Sequence, residues 1–255
     1  MLETLPFFAD TGLSEWALWG LIIASYFTSA LTAAFGIGGG VALLAILSTV
    51  IPVATLIPLH GMVQMGSNAG RAWHLRDHIK WSFLVPFGLG ALIGTAVGSQ
   101  LVIALPDALL KIILALFVLS LVWAPKPKFM KGGNVTIATG GALSSLAGMF
   151  VGATGPLVAA MIAGKADDRQ GVVSTHAASM TLQHGLKILA FGFVGFAFTT
   201  WLGLIIAMIV SGYIGTITGG KILHMMDEKL FRKLFKLILT ALAVFMLVKA
   251  AQSFF

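Results

Sequence analysis

Apolar stretches alternate with short polar breaks along the whole chain. They fall at about residues 16–35, 41–51, 53–73, 81–105 and 108–124. A second series follows at 135–151, 157–163, 172–190, 193–223 and 230–250. Several reach the roughly 20 residues that a helix needs to cross a bilayer core. Two stretches, 41–51 and 157–163, are too short to span straight. Each follows a glycine-rich break, Gly36-Ile-Gly-Gly-Gly40 in one case and Gly152-Ala-Thr-Gly-Pro156 in the other. The expected fold is an all-α polytopic membrane protein with about 8–10 membrane segments. The upper number applies if the short pieces cross, and the lower if they are re-entrant.

The two series match each other. Gly36 aligns with Gly152, Gly39 with Gly155 and His60 with His176 at one constant offset. Further on, Ile93-Gly-Thr-x-x-Gly98 matches Ile214-Gly-Thr-x-x-Gly219, with Lys111 against Arg232, at an offset five residues larger. Fixed spacing in both places points to an internal duplication. The organisation expected is a tail over 1–15, a first membrane repeat over 16–124, a linker over 125–133 and a second repeat over 134–255. The linker reads as one because prolines, glycines and lysines sit between apolar runs.

Lys and Arg set the orientation. They group at Arg71, Arg76 and Lys80, at Lys126, Lys128 and Lys131, at Lys165 and Arg169, and from Lys221 through Lys236. Placing these groups in the cytoplasm puts both termini on the periplasmic side of a bacterial inner membrane. Each half has an odd number of segments, so the second enters from the opposite side and the repeats are inverted. The first fifteen residues carry Glu3, Asp10 and Glu15 and no basic residue, so no secretory signal is expected.

Composition sharpens this picture. Hydrophobic residues make up 58% of the chain and charged residues 10%, against roughly 25% charged in a soluble domain. The net charge of +7 sits in loops between apolar segments, which argues against nucleic acid. Cysteine is absent, which excludes disulfides and thiolate metal sites. No H-E-x-x-H or Gly-x-Ser-x-Gly motif occurs, and no enzyme or cofactor is expected. The six tryptophans, Trp16, Trp19, Trp73, Trp81, Trp123 and Trp201, mostly lie near segment ends, as an aromatic belt does.

Two features carry candidate chemistry. The first is the glycine breaks. Gly36, Gly38, Gly39 and Gly40 precede one short helix, and Gly152, Thr154 and Gly155 precede the other. Glycine lets backbone approach a ligand, and a helix start presents free N–H groups suited to an anion. Close helix packing is the alternative use of such glycines. The second feature is a polar stripe after each break. His60, Gln64, Ser67, Asn68 and Arg71 fall within an arc of about 100° on one helix. His176, Gln183, His184 and Lys187 repeat that face in the second half. Such a stripe lines a site or acts as interhelical glue. Lys187 lies well inside an apolar run and is expected to add charge to the site; Arg71 either joins it or snorkels to the interface.

Every Asp and Glu lies in a tail or near a segment end: Glu3, Asp10, Glu15, Asp77, Asp107, Asp167, Asp168, Asp227 and Glu228. A membrane core with donors and cations but no carboxylate suits an anion. Protons are a candidate coupling ion, with His60, His176 and His184 as the groups to carry them.

The glycine cluster at 36–40, the polar helix after it and the weaker glycine motif at 152–156 together resemble the sulfite exporter TauE/SafE family, over about residues 17–248. The resemblance implies a secondary transporter, associated with export, of small sulfur-containing anions such as sulfite or organosulfonates. It implies binding elements at Gly36, Gly38, Gly39 and Gly40 with Gly152, Thr154 and Gly155. The chain departs from the family pattern beside this site. Many members carry a proline a few residues after the first cluster, where this chain reads Val41-Ala-Leu-Leu-Ala-Ile46, and the second cluster has fewer glycines. The rival reading is a non-transporting membrane scaffold or assembly partner, which predicts a dry core.

Overall fold

A computed structural model of the chain describes residue 8 and residues 11–35, 38–102, 106–124, 132–163, 165, 168–223 and 228–252. The described residues form ten α-helices and no strand: α1 (Glu15–Phe35), α2 (Gly39–Leu47), α3 (Val53–His74), α4 (Trp81–Val102), α5 (Asp107–Trp123), α6 (Asn134–Val151), α7 (Gly155–Ala163), α8 (Arg169–Phe193), α9 (Leu202–Leu223) and α10 (Glu228–Gln252). Most of the linker, including Lys126, Lys128 and Lys131, lies outside the described residues, as do Gly36, Asp167 and Asp227.

Among the described residues, four helical stretches are long and apolar enough to cross a membrane: Glu15–Ala33, Trp81–Val102, Asn134–Val151 and Phe198–Thr218. They belong to α1, α4, α6 and α9, and they pair as α1 with α9 and α4 with α6. Their outer faces expose Phe27, Leu89, Ile93, Ile206 and Ile217, as lipid contact requires. The inner faces use small residues. A Cβ on Gly90 or Gly94 of α4 would run into the backbone of α6 at Ala138 or Ala142. On α9, Gly215 stands against the Tyr26 carbonyl in the same way, while the surroundings of Gly219 lie outside the description. Hydroxyls add bonds between α1 and α9: Ser25 Oγ donates to the Met208 carbonyl and Ser211 Oγ to the Ile22 carbonyl, both at 2.7 Å.

The polar helices α3 and α8 pack against each other between these pairs. Their stripes keep them below the apolarity of a lipid-facing span, and partners on both sides supply what the bilayer does not. The short α2 is apolar all round and buried from Val41 to Leu47 except Ile46. Nine residues rise only about 14 Å, too little to cross. It belongs to the main core with Leu56, Leu59, Leu110 and Leu114.

Two boundaries differ from the sequence expectation. The apolar run 193–223 is interrupted: α8 ends at Phe193, Gly195 takes a positive φ of 86°, and a 3₁₀ turn at Phe198–Trp201 leads into α9. At its other end α8 starts at Arg169, because the Asp168 carboxylate accepts the Gly171 N–H at 2.6 Å and caps the first turn. Asp107 has a similar duty. It accepts the Val53 N–H at 2.8 Å at the start of α3 and pairs with Lys111 at 2.8 Å.

The Gly90→Ala variant should lose stability by about 1–3 kcal/mol, since its methyl has nowhere to go against Ala138. Gly70→Ala, at a helical glycine with open space around it, should hold or gain stability. Thermal unfolding in detergent compares them, and equal midpoints would contradict the close approach of α4 and α6.

Candidate functional site

The site begins at the two breaks. Gly38 (φ 106°) and Gly152 (φ 72°) sit in the left-handed region, which a side chain would strain. Gly39 lies so close to the Thr28 carbonyl that no Cβ fits, and a Cβ on Gly40 would strike the Gln64 amide. The chain can therefore fold back against α1 and α3 only with glycine here.

Polar side chains of α3 and α8 fasten the broken ends. His60 Nε2 donates to the Gly40 carbonyl at 2.9 Å, and His176 Nε2 donates to the Gly155 carbonyl at 3.1 Å. A carbonyl can only accept, so both rings carry hydrogen on Nε2. Gln183 Nε2 donates to the Ser144 carbonyl and to Thr154 Oγ1, each at 2.9 Å. Lys187 Nζ donates to the Gly152 carbonyl at 3.0 Å. Lys187, Gln183 and Thr154 are almost wholly buried behind the second break and do not line the cavity described next. The expectation that Lys187 presents its charge to a ligand is therefore not what the geometry displays; its ammonium is turned onto backbone.

A small cavity of about 40 Å³ lies between the breaks. Gly38, Gly40 and Val41 line it from the start of α2, and Ala153, Gly155 and Pro156 from the second break. His60, Gln64, Asn68 and Arg71 contribute from α3, and His176, Met180 and His184 from α8. Arg71 carries the single formal charge among these lining residues, and no carboxylate is among them. Its guanidinium donates to Ser67 Oγ at 3.3 Å, which places Ser67 as a support beneath Arg71. The Arg71 Nε is buried with no acceptor. Asn68 Nδ2 donates to the Gln64 carbonyl at 2.8 Å. The starts of α2 and α7 add a positive electrostatic field, with fewer free N–H groups at α7, where Pro156 has none and Leu157 N–H bonds the Thr154 carbonyl at 3.0 Å.

A family model described as sulfite exporter TauE/SafE matches residues 21–246, from α1 into α10. The chain belongs to that family. It is thus a multi-pass membrane protein of a transporter family. Curated proteins and solved structures yield no match to it. For a TauE/SafE member this chain has a lining built of donors, one guanidinium and two glycine-opened helix starts.

Sequence reasoning missed Thr32 and Met180 in the lining. Thr32 stands one turn before the first break, a polar residue in an apolar run. Met180 holds the repeat position of Gln64, so the duplication register pointed to it although its chemistry did not. Gly36 lies outside the described residues.

Gln183→Leu should cost about 1–3 kcal/mol, because Thr154 and the Ser144 carbonyl lose a buried donor. Lys111→Ala, which breaks a partly exposed pair, should cost less than about 1 kcal/mol. Thermal unfolding of the two variants checks the ranking, and a reversed order would show that the second break is not held by Gln183.

Proposed function

We propose that this chain is a secondary transporter that exports a small sulfur oxyanion, sulfite or an organosulfonate, across the bacterial inner membrane. The observation that carries the reading is the Arg71 guanidinium, with a buried donor unmet, facing a cavity whose lining holds no carboxylate. A guanidinium fork matches two oxygens of an oxyanion. Gln64 and Asn68 supply amide donors beside it, and the N–H groups at Gly38, Gly39 and Gly40 supply the helix-start cradle. His60, Ser67, Gly152, Thr154, Gly155, His176, Gln183 and Lys187 shape and hold this site.

The transport cycle follows from two inverted repeats, residues 16–124 and 134–255, joined by a cytoplasmic linker over 125–133, with both termini periplasmic. Several observations support this reading. Five helices of matching order precede and follow the linker. The first helix of each series packs on the fourth of the other, as α1 on α9 and α6 on α4. The polar helices α3 and α8 meet at the centre. Rocking one repeat against the other about that seam would open the cavity first to one side and then to the other.

Sulfite at about 100 Kd should stabilise the purified protein by roughly 2.7 kcal/mol in a thermal-shift titration. Arg71→Gln should weaken that binding about 10–100-fold, the loss of roughly 1.5–3 kcal/mol from a charge-assisted contact. Lys111→Ala should bind as wild type. A folded wild type that responds to neither sulfite nor a sulfonate would overturn the anion reading in favour of a scaffold.

A further inference from the structure

His60 of α3 and His184 of α8 meet edge to face across the central seam, with ring centroids 5.9 Å apart and planes at 73°. The Nε2–H of His60 is committed to the Gly40 carbonyl, which leaves its Nδ1 as a lone pair. That atom is buried and has no partner, and His184 Nδ1 is buried without a partner as well. Two ring nitrogens, one from each half of the chain, thus lack the hydrogen bond that burial demands. The anion-holding groups do not use either nitrogen. His184 also lines the cavity, so a proton from cavity water has a route to the pair.

The surrounding groups are basic. Lys187 follows His184 by one turn on α8 and is buried. Arg71 and His176 line the same cavity. The helices α2, α4 and α6 carry no ionisable side chain. The helix α9, which touches α3 at Gly66 through Ile209, carries Tyr213 on an exposed face and Lys221 in its last turn. No carboxylate lies among the lining residues to steady an imidazolium. A proton arriving alone is opposed by Lys187 and Arg71, whereas a bound anion offsets that opposition.

We propose that the His60–His184 pair binds one proton together with the anion, so that the two move as a unit. The inference rests on the anion reading above and names its coupling ion. The proton comes from solvent through the cavity and adds to one imidazole lone pair. It turns that orphan nitrogen into a donor to the other ring, directly or through one water. It returns to solvent when the anion leaves on the other side. The pair holds one proton and not two, because a second would set two cations side by side next to Lys187.

Calorimetric titration of sulfite into the detergent-purified protein, repeated in buffers of different ionisation heat, counts protons taken up per anion bound. Wild type is compared with His184→Gln and with His184→Asn, the residue type found at the repeat-equivalent position 68. The protonation of sulfite itself is common to all three and cancels in the difference. The variants are expected to bind sulfite more weakly and to take up about one proton fewer per anion. A variant that binds sulfite with the wild-type proton count overturns the proton site and leaves the anion site standing. A wild type that binds no sulfite overturns the anion reading, and this inference falls with it.

Discussion

A backbone carbonyl that leaves a helix inside a membrane has no water to turn to, so the protein itself must satisfy it. Here the chain leaves its helices twice, at the two glycine breaks, and side chains of α3 and α8 reach both. Lys187 meets that demand at the Gly152 carbonyl, just past the end of α6, and Gln183 ties Thr154 of the second break to the Ser144 carbonyl inside α6. His60 and His176 tie the starts of α2 and α7 to the polar helices. The polar stripes are therefore fasteners first. Their presence excludes α3 and α8 from lipid and forces them to the centre, where the apolar pairs α1–α9 and α4–α6 enclose them.

The cavity is a consequence of the same arrangement. Two helices that start inside the protein leave their first N–H groups without intrahelical partners. The residues that cannot be used on backbone, Arg71 above all, are left pointing into the space between the breaks. On the proposed reading, a site made this way selects by sign. It offers donors, one guanidinium and helix starts, while the carboxylates of Asp107 and Asp168 are held at helix ends by backbone N–H groups.

Much of this was legible in the sequence, because the constraint acts on residue type. The glycine breaks, the short helices after them and the stripe residues all emerge from apolar periodicity and the internal register. What the register could not decide is the different use of equivalent residues. Arg71 and Lys187 hold the same position in the two halves, yet Arg71 lines the cavity while Lys187 is drawn onto the Gly152 carbonyl. Which equivalent residue turns onto backbone is a tertiary fact. Met180 in place of a second glutamine is likewise silent in a polarity scan. The end of α8 was blurred by the apolar run through Phe193, where one glycine at positive φ makes the turn.

The proposed transport cycle requires a water-reached cavity that opens to one side of the membrane at a time. The chain has no cysteine, so a single Thr32→Cys at the cavity wall can report on it without interference. The measurement is modification of that cysteine in proteoliposomes by a membrane-impermeant thiol reagent added to either side, with and without an organosulfonate, which does not itself consume the reagent. Alternating access predicts modification that requires an open cavity, is blocked by the sulfonate, and arises from each side only in the molecules open to that side. A Thr32→Cys that reacts from neither side, while an exposed Asp77→Cys in the same preparation reacts, would mean a dry core and contradict the account.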